Sequence, residues 1–137
     1  MEKTLPIEEW THEAHLTVGL WFVVQYGPYQ ASKQIPECIY QYNESKGIQN
    51  TDSAGYHQTI TQFWIWLLNE YWEKVRNKVN FFSACNHLFT TSLVDKSIFL
   101  NFYSRDVMFS TQARKLGVTP DKRPLNFDVL WGKSVPE

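Results

Sequence analysis

Cysteine is scarce in this sequence, since only Cys38 and Cys85 occur, far apart and in no CxxC pattern. This spacing excludes a disulfide framework and indicates free, buried thiols in a reducing compartment. The sequence also lacks an apolar run near the about 20 residues that a membrane span requires, and it lacks a basic, apolar leader. We therefore expect a cytoplasmic protein with no membrane partner.

An excess of charge of either sign is absent too, because the formal net charge is −1 and the Lys and Arg residues are spread along the chain. Binding to a phosphate backbone requires a basic stripe, so a nucleic-acid partner is not expected. Aromatic residues, by contrast, make up 16% of the sequence and apolar residues 43%. Burying this much apolar area offsets the chain entropy lost on folding, and 137 residues suit one globular domain.

Alternation of apolar and polar residues, which is typical of half-buried strands, is lacking, whereas apolar residues recur at helical spacing. The pattern predicts an all-α, single-domain, up-and-down bundle of about five helices with an irregular C-terminal tail. The predicted helices span residues 7–26, 28–46, 54–77, 80–90 and 95–103.

Residues that begin or end helices divide these segments. Gly27 is expected to end the first helix, and Pro36 to kink or divide the second, because a proline inside a helix removes a hydrogen bond. Asn80 is a predicted N-cap for the fourth helix. Two serines are predicted to cap short helices before the tail, Ser104 and Ser110.

The four histidines are the most distinctive polar residues of the apolar segments. His12 and His15 lie three residues apart, so both are expected on one face of the first helix. His57 is expected one turn into the third helix and directed toward the core. In an up-and-down bundle the first and third helices run in the same direction, which brings these histidines, and His87 as well, toward one end.

This arrangement suggests two kinds of chemistry. Three neutral imidazoles from His12, His15 and His57 would suit a divalent metal such as Zn, with a position left for water or substrate. Without a metal they would act as general acid and base near neutral pH, and Tyr56, Thr59 and Thr61 are expected to surround His57 with hydroxyls. The alternative is structural, because buried histidines often only satisfy backbone carbonyls or neighbouring hydroxyls.

Two further groups of residues suggest binding. Tyr103, Ser104 and Arg105 follow an apolar segment, and the arginine either presents its guanidinium to a carboxylate or phosphate of a ligand or pairs with an internal acid. The serines are interpreted as helix caps, since no GxSxG motif is present.

Trp66 and Trp72 fall partly off the apolar face of their helix. If exposed, they would form a patch suited to a homodimer.

The order WxHxxHL, GYHxTIT, YSxxxxxSxxAR and VxPD resembles a family of uncharacterised bacterial helical proteins, over residues 10–121. The central motif of that family usually reads YHETIT, and Gln58 stands here at the position of its acid. If that acid is a metal ligand or a general base in the family, this chain lacks the activity or performs it differently. The resemblance implies no known reaction. It implies a shared polar site formed by His12, His15, His57 and Thr61, with Tyr103, Ser104 and Arg105 beside it.

Two hypotheses follow from these patterns. In the first, a histidine-lined pocket at one end of the bundle binds a small-molecule ligand, directly or through a metal, and converts it. In the second, the chain is a non-catalytic helical interaction module whose histidines are structural.

Overall fold

The computed structural model describes residues 11–51 and 54–134. Within these residues the chain forms six α-helices and no strand, which confirms the predicted all-α fold. The helices are α1 (His12–Ser45), α2 (Gln58–Val75), α3 (Phe81–Leu88), α4 (Arg105–Met108), α5 (Thr111–Lys115) and α6 (Phe127–Ser134). Two 3₁₀ helices, Ser92–Val94 and Ile98–Asn101, lie between α3 and α4. No helix of the described part combines the length and apolarity needed to cross a membrane.

Helix α1 is broken at Gly27, whose φ of 81° and ψ of 166° are non-helical. Glycine adopts this positive φ without the steric penalty of a Cβ atom, and Pro28 then begins the next helical segment. We call residues 12–26 the first arm and residues 28–45 the second arm. They correspond to the first two predicted helices, although the predicted start at residue 7 lies outside the described residues.

The second arm remains helical through Pro36, so of the two expected outcomes, a kink or a division, the division does not occur. A proline at this position cannot donate a hydrogen bond to the carbonyl of Ser32, four residues earlier. The side-chain amide of Gln62 in α2 donates to that carbonyl instead, at 3.3 Å. A tertiary contact thus satisfies the acceptor that the proline leaves without its helical donor.

The two arms pack on α2 in opposite directions. In the first arm His12 contacts Trp64, and Gly19 lies against Leu68, so residue numbers rise together along both helices. In the second arm Ser32 is level with Gln62 and Tyr40 with Tyr56, so the numbers run oppositely. The first arm and α2 are therefore co-directional, as the up-and-down arrangement predicts.

Side-chain caps explain most helix starts. Asn80 accepts from the N–H of Ser83 at 2.9 Å, and two serines cap the short helices α4 and α5 as predicted, Ser104 and Ser110. Helix α2 starts later than predicted, because His57 is its N-cap rather than a residue one turn inside. The predicted helix over residues 95–103 is only the 3₁₀ helix Ile98–Asn101.

The apolar core lies along α2, whose buried residues include Phe63, Leu67 and Tyr71. The C-terminal tail is irregular over residues 118–126 and then forms α6, a helix that the sequence pattern did not predict. Phe127 at the start of α6 packs against Trp66, with ring centroids 6.2 Å apart. Trp66 and Trp72 are partly buried against the core, so the exposed patch suggested for them is not formed.

Candidate functional site

His12 joins the first arm to the segment that follows α3. Its Nε2–H donates to the carbonyl of Val94 at 2.8 Å, and its ring meets that of Trp64 edge-on, with centroids 5.0 Å apart. Burial lowers the pKa of this imidazole, and the nearby ammonium group of Lys96 lowers it further. His12 is therefore a neutral imidazole at pH 7, held through Nε2 by a described residue.

His15 lies one turn from the N-cap of α1. Its Nδ1–H donates to the carbonyl of Thr11 at 2.6 Å, while the Thr11 hydroxyl accepts from the N–H of Ala14 at 3.1 Å. Desolvation lowers the pKa of His15, and the positive charges of His12 and Lys96 act in the same direction. His12 and His15 lie on one face of the first arm, as predicted, because both imidazoles border the same cavity.

That cavity lies between the two arms of α1 and α2 and has a volume of about 430 Å³. Most of its wall is apolar, with aliphatic residues from the first arm, the second arm and α2, such as Leu16, Val18, Ile35, Ile39, Ile60 and Leu68. Small-molecule sites typically occupy about 300–1,000 Å³ and combine apolar walls with a few polar groups. The size and chemistry of this cavity match that description.

Five polar side chains of the described residues border the cavity. They are those of Thr11, His12, His15, Thr61 and Lys96. The Thr61 hydroxyl donates its proton to the carbonyl of His57 at 2.7 Å, so towards a ligand this hydroxyl acts as an acceptor. Lys96 is exposed and has no acidic side chain within ion-pair distance among the described residues. It is the one lysine or arginine that the described residues place on the cavity wall.

His57 does not border this cavity, contrary to the prediction. As the N-cap of α2 it accepts from the N–H of Ile60 through Nδ1 at 3.1 Å, so its proton lies on Nε2. That Nε2–H donates to the carbonyl of Met108 at 2.8 Å. Burial lowers the pKa of His57, with the charge of Arg114 as a further lowering cause. Both ring nitrogens therefore have protein partners, and the imidazole has a structural role.

The register of the helices explains this separation. His12 is level with Trp64, which lies seven residues beyond His57 along α2. At 1.5 Å per residue this is an offset of about 10 Å along the helix axis. Among residues 11–51 and 54–134, no group of three His, Cys, Asp or Glu side chains could hold a metal. The predicted three-histidine site is thus not formed there, and a zinc cofactor has no support.

The GYHxTIT and YSxxxxxSxxAR motifs instead contact each other, and we call this contact between residues 55–61 and 108–118 the motif clasp. The buried hydroxyl of Thr59 donates to the carbonyl of Ala113 at 2.7 Å and accepts from the N–H of Val118 at 3.1 Å. Arg114 donates to the carbonyls of Gly55 at 2.9 Å and of Tyr56 at 3.4 Å. Together with the His57 bond, these contacts fix α4 and α5 onto the start of α2.

Tyr103, Ser104 and Arg105 lie outside the cavity. Tyr103 is buried and donates its hydroxyl to the carbonyl of Val118 at 3.4 Å. The N–H of Ser104 donates to the Asp121 carboxylate at 2.8 Å, and this bond lowers the pKa of Asp121. Arg105 is exposed, and the described residues include no ion pair of its guanidinium with an internal acid, whereas its contact with a ligand stays a prediction.

Tyr56 and Gln58 form a separate polar contact at the start of α2. The Tyr56 hydroxyl donates to Oε1 of Gln58 at 2.5 Å, and its ring lies 4.9 Å from that of Tyr40. Burial raises the pKa of Tyr56 to about 12. Gln58 thus acts as a hydrogen-bond acceptor for a neutral phenol, which a carboxylate at this position would also do.

His87 serves packing rather than the site, so the expected convergence of all four histidines is wrong. The hydroxyl of Tyr71 donates its proton to the carbonyl of Ala84 at 2.7 Å. His87 therefore donates from Nδ1 to the Tyr71 oxygen, at 2.8 Å, and the two rings are stacked. This bond docks α3 on α2.

Of the predicted site residues, the cavity contains His12, His15 and Thr61. Sequence reasoning missed Lys96 and the two isoleucines of the second arm, Ile35 and Ile39, because they carry no motif and join the site only through tertiary packing. Comparisons with protein-family models, with curated proteins and with solved structures found no match to this chain.

Proposed function

We propose that this protein binds a small, largely apolar molecule in the cavity between the two arms of α1 and α2. The observation that carries the proposal is the cavity itself, about 430 Å³ in volume and with a mostly apolar wall. Covering apolar surface of a ligand in such a site contributes about 25 cal/mol per Å² before the costs of association. Conversion of the bound molecule, with His12 and His15 as general acid and base, stays a prediction, as does a cytoplasmic location.

A titration with the neutral fluorescent probe Nile red tests this proposal. Ile39→Trp places an indole in the cavity wall, and Leu116→Trp adds the same group at a position that is 73% exposed and outside the cavity. We expect saturable binding to the wild type and to Leu116→Trp, and at least about tenfold weaker binding to Ile39→Trp, a change of about 1.4 kcal/mol. Circular dichroism of each variant confirms that it is folded.

No saturable binding to the wild type would refute the proposal. Equal affinities for Ile39→Trp and Leu116→Trp would refute it as well, because the probe would then lie on another surface.

The second candidate is the helical interaction module. It is favoured by the purely structural hydrogen bonds of His57 and His87 and by three exposed aromatic residues near the break in α1, Trp21, Tyr26 and Tyr29. The homodimer that the sequence suggested through Trp66 and Trp72 would then form through these exposed residues instead. Sedimentation of the wild type and of Trp21→Ser over a range of concentrations tests it. A monomer at all concentrations would exclude this dimer.

A further inference from the structure

We propose that the ligand of the cavity is an amphipathic anion, whose carboxylate lies at Lys96 beside His12 and His15 and whose apolar chain extends between the two arms of α1. This inference rests on the proposed function and names the chemical class of the ligand. It depends on three features: the position of Lys96, the charges around it, and the composition of the remaining wall.

The position of Lys96 is fixed by the chain around it. The bond from His12 to the carbonyl of Val94 holds the segment after the 3₁₀ helix Ser92–Val94 against the first arm. Asp95 then accepts from both the N–H and the hydroxyl of Ser97, each at 2.9 Å, which shapes the following turn. Lys96 lies between these two anchored points and borders the cavity.

The charges at this end favour an anion. Asp95 already accepts two hydrogen bonds, and neither Asp95 nor Glu13 comes within 4.0 Å of the Lys96 ammonium group in the described part of the chain. Burial lowers the pKa of His12 and His15, and Lys96 lowers both further because three positive charges would repel, while the carboxylates of Glu13 and Asp95 act in the opposite direction on His12. A bound carboxylate would reverse this repulsion and pair with the ammonium group.

The remaining wall is suited to a hydrocarbon chain. The cavity follows the first arm from His12 to Gly19, a distance of about 10 Å at 1.5 Å per residue. A Cβ atom on Gly19 would lie 2.9 Å from Cδ1 of Leu68, so the glycine lets the arm approach α2 closely. The opposite side is formed by Ile35 and Ile39 of the second arm. A medium-length aliphatic chain is therefore the expected apolar part of the ligand.

The test compares octanoate with octanol, which share the chain and differ in charge. Displacement of Nile red gives both affinities for the wild type, for Lys96→Met and for Lys78→Met. The last variant removes the same charge from an exposed lysine outside the cavity. We expect octanoate to bind the wild type and Lys78→Met at least about tenfold more tightly than it binds Lys96→Met. Octanol should bind all three within about twofold.

Two results would overturn the inference: octanoate that fails to displace the probe, or equal octanoate affinities for wild type and Lys96→Met. In either case the proposed function would still be supported if the wild type binds Nile red and Ile39→Trp binds it more weakly. Absence of Nile red binding to the wild type would instead refute the proposed function itself.

Discussion

The cavity and the motif clasp each contain a histidine from a sequence motif, yet they differ in what is left for a ligand. In the clasp, His57 uses Nδ1 to cap α2 and Nε2 to hold Met108, and Thr59 uses its hydroxyl in two further bonds. In the cavity, His12 is held through Nε2, no bond of its Nδ1 is formed within residues 11–51 and 54–134, and the ring lies near the ammonium group of Lys96. The number of ring nitrogens already bonded therefore separates a structural histidine from a candidate binding histidine.

The largest effect is expected from breaking the clasp. His57→Leu removes the N-cap of α2, at about 0.5–2 kcal/mol, and leaves the buried Met108 carbonyl without a donor, at about 1–3 kcal/mol. The free energy of unfolding, measured by urea denaturation, should fall by about 2–4 kcal/mol. Nile red affinity of the folded variant should stay within about twofold, because His57 lies outside the cavity.

His57→Asn is the matched control, since asparagine keeps a cap acceptor but does not reach Met108. Its loss of stability should be smaller than that of His57→Leu. A large loss of Nile red affinity in either folded variant would contradict the structural role given to His57.

Acidification is expected to lower the free energy of unfolding by a smaller amount. Burial lowers the pKa of His12, His15 and His57 below 6.5 in the folded protein, so the unfolded chain binds protons first. These groups thus leave stability unchanged above about pH 7 and reduce it as pH falls below about 6.5, by at most about 1.4 kcal/mol per pH unit for each extra proton. Urea denaturation between pH 8 and pH 5 measures this slope.

The free energy of unfolding should depend less steeply on pH in His57→Asn, because one of the three imidazoles is absent. Asp95 and Asp121, whose pKa values are lowered, titrate below this range. Stability that rises on acidification from pH 7 to pH 5 would contradict the direction of the three histidine shifts.

The smallest effect is expected at Arg105. Its exposed side chain forms no ion pair in the described part of the chain, so Arg105→Ala should change the free energy of unfolding by no more than about 0.5 kcal/mol. Octanoate affinity should also be unchanged, in contrast to Lys96→Met. Weaker octanoate binding in Arg105→Ala would place the anion site at Arg105 rather than in the cavity. It would also contradict the conclusion that the cavity is the part of the molecule left for a ligand.

Local patterns predicted the helices and several of their caps because these depend on near neighbours. Asn80, Ser104 and Ser110 cap helices through bonds that span three residues. The tail helix α6 was missed because Phe127 is stabilised by distant Trp66. Which of the two outcomes expected at Pro36 would hold, a kink or a division, also depended on a distant residue, because Gln62 of another helix donates to the carbonyl of Ser32.

The sequence by itself determined the all-α fold, the break at Gly27 and the common face of His12 and His15, since backbone geometry and helical periodicity fix them locally. Only the tertiary structure decided which polar groups meet. The start of α2 at His57 and the pairing of His12 with Trp64 separate the histidines along the bundle and bring Lys96 to the cavity instead. Such placement follows from long-range packing and hydrogen bonds, which the spacing of residues in a sequence does not encode.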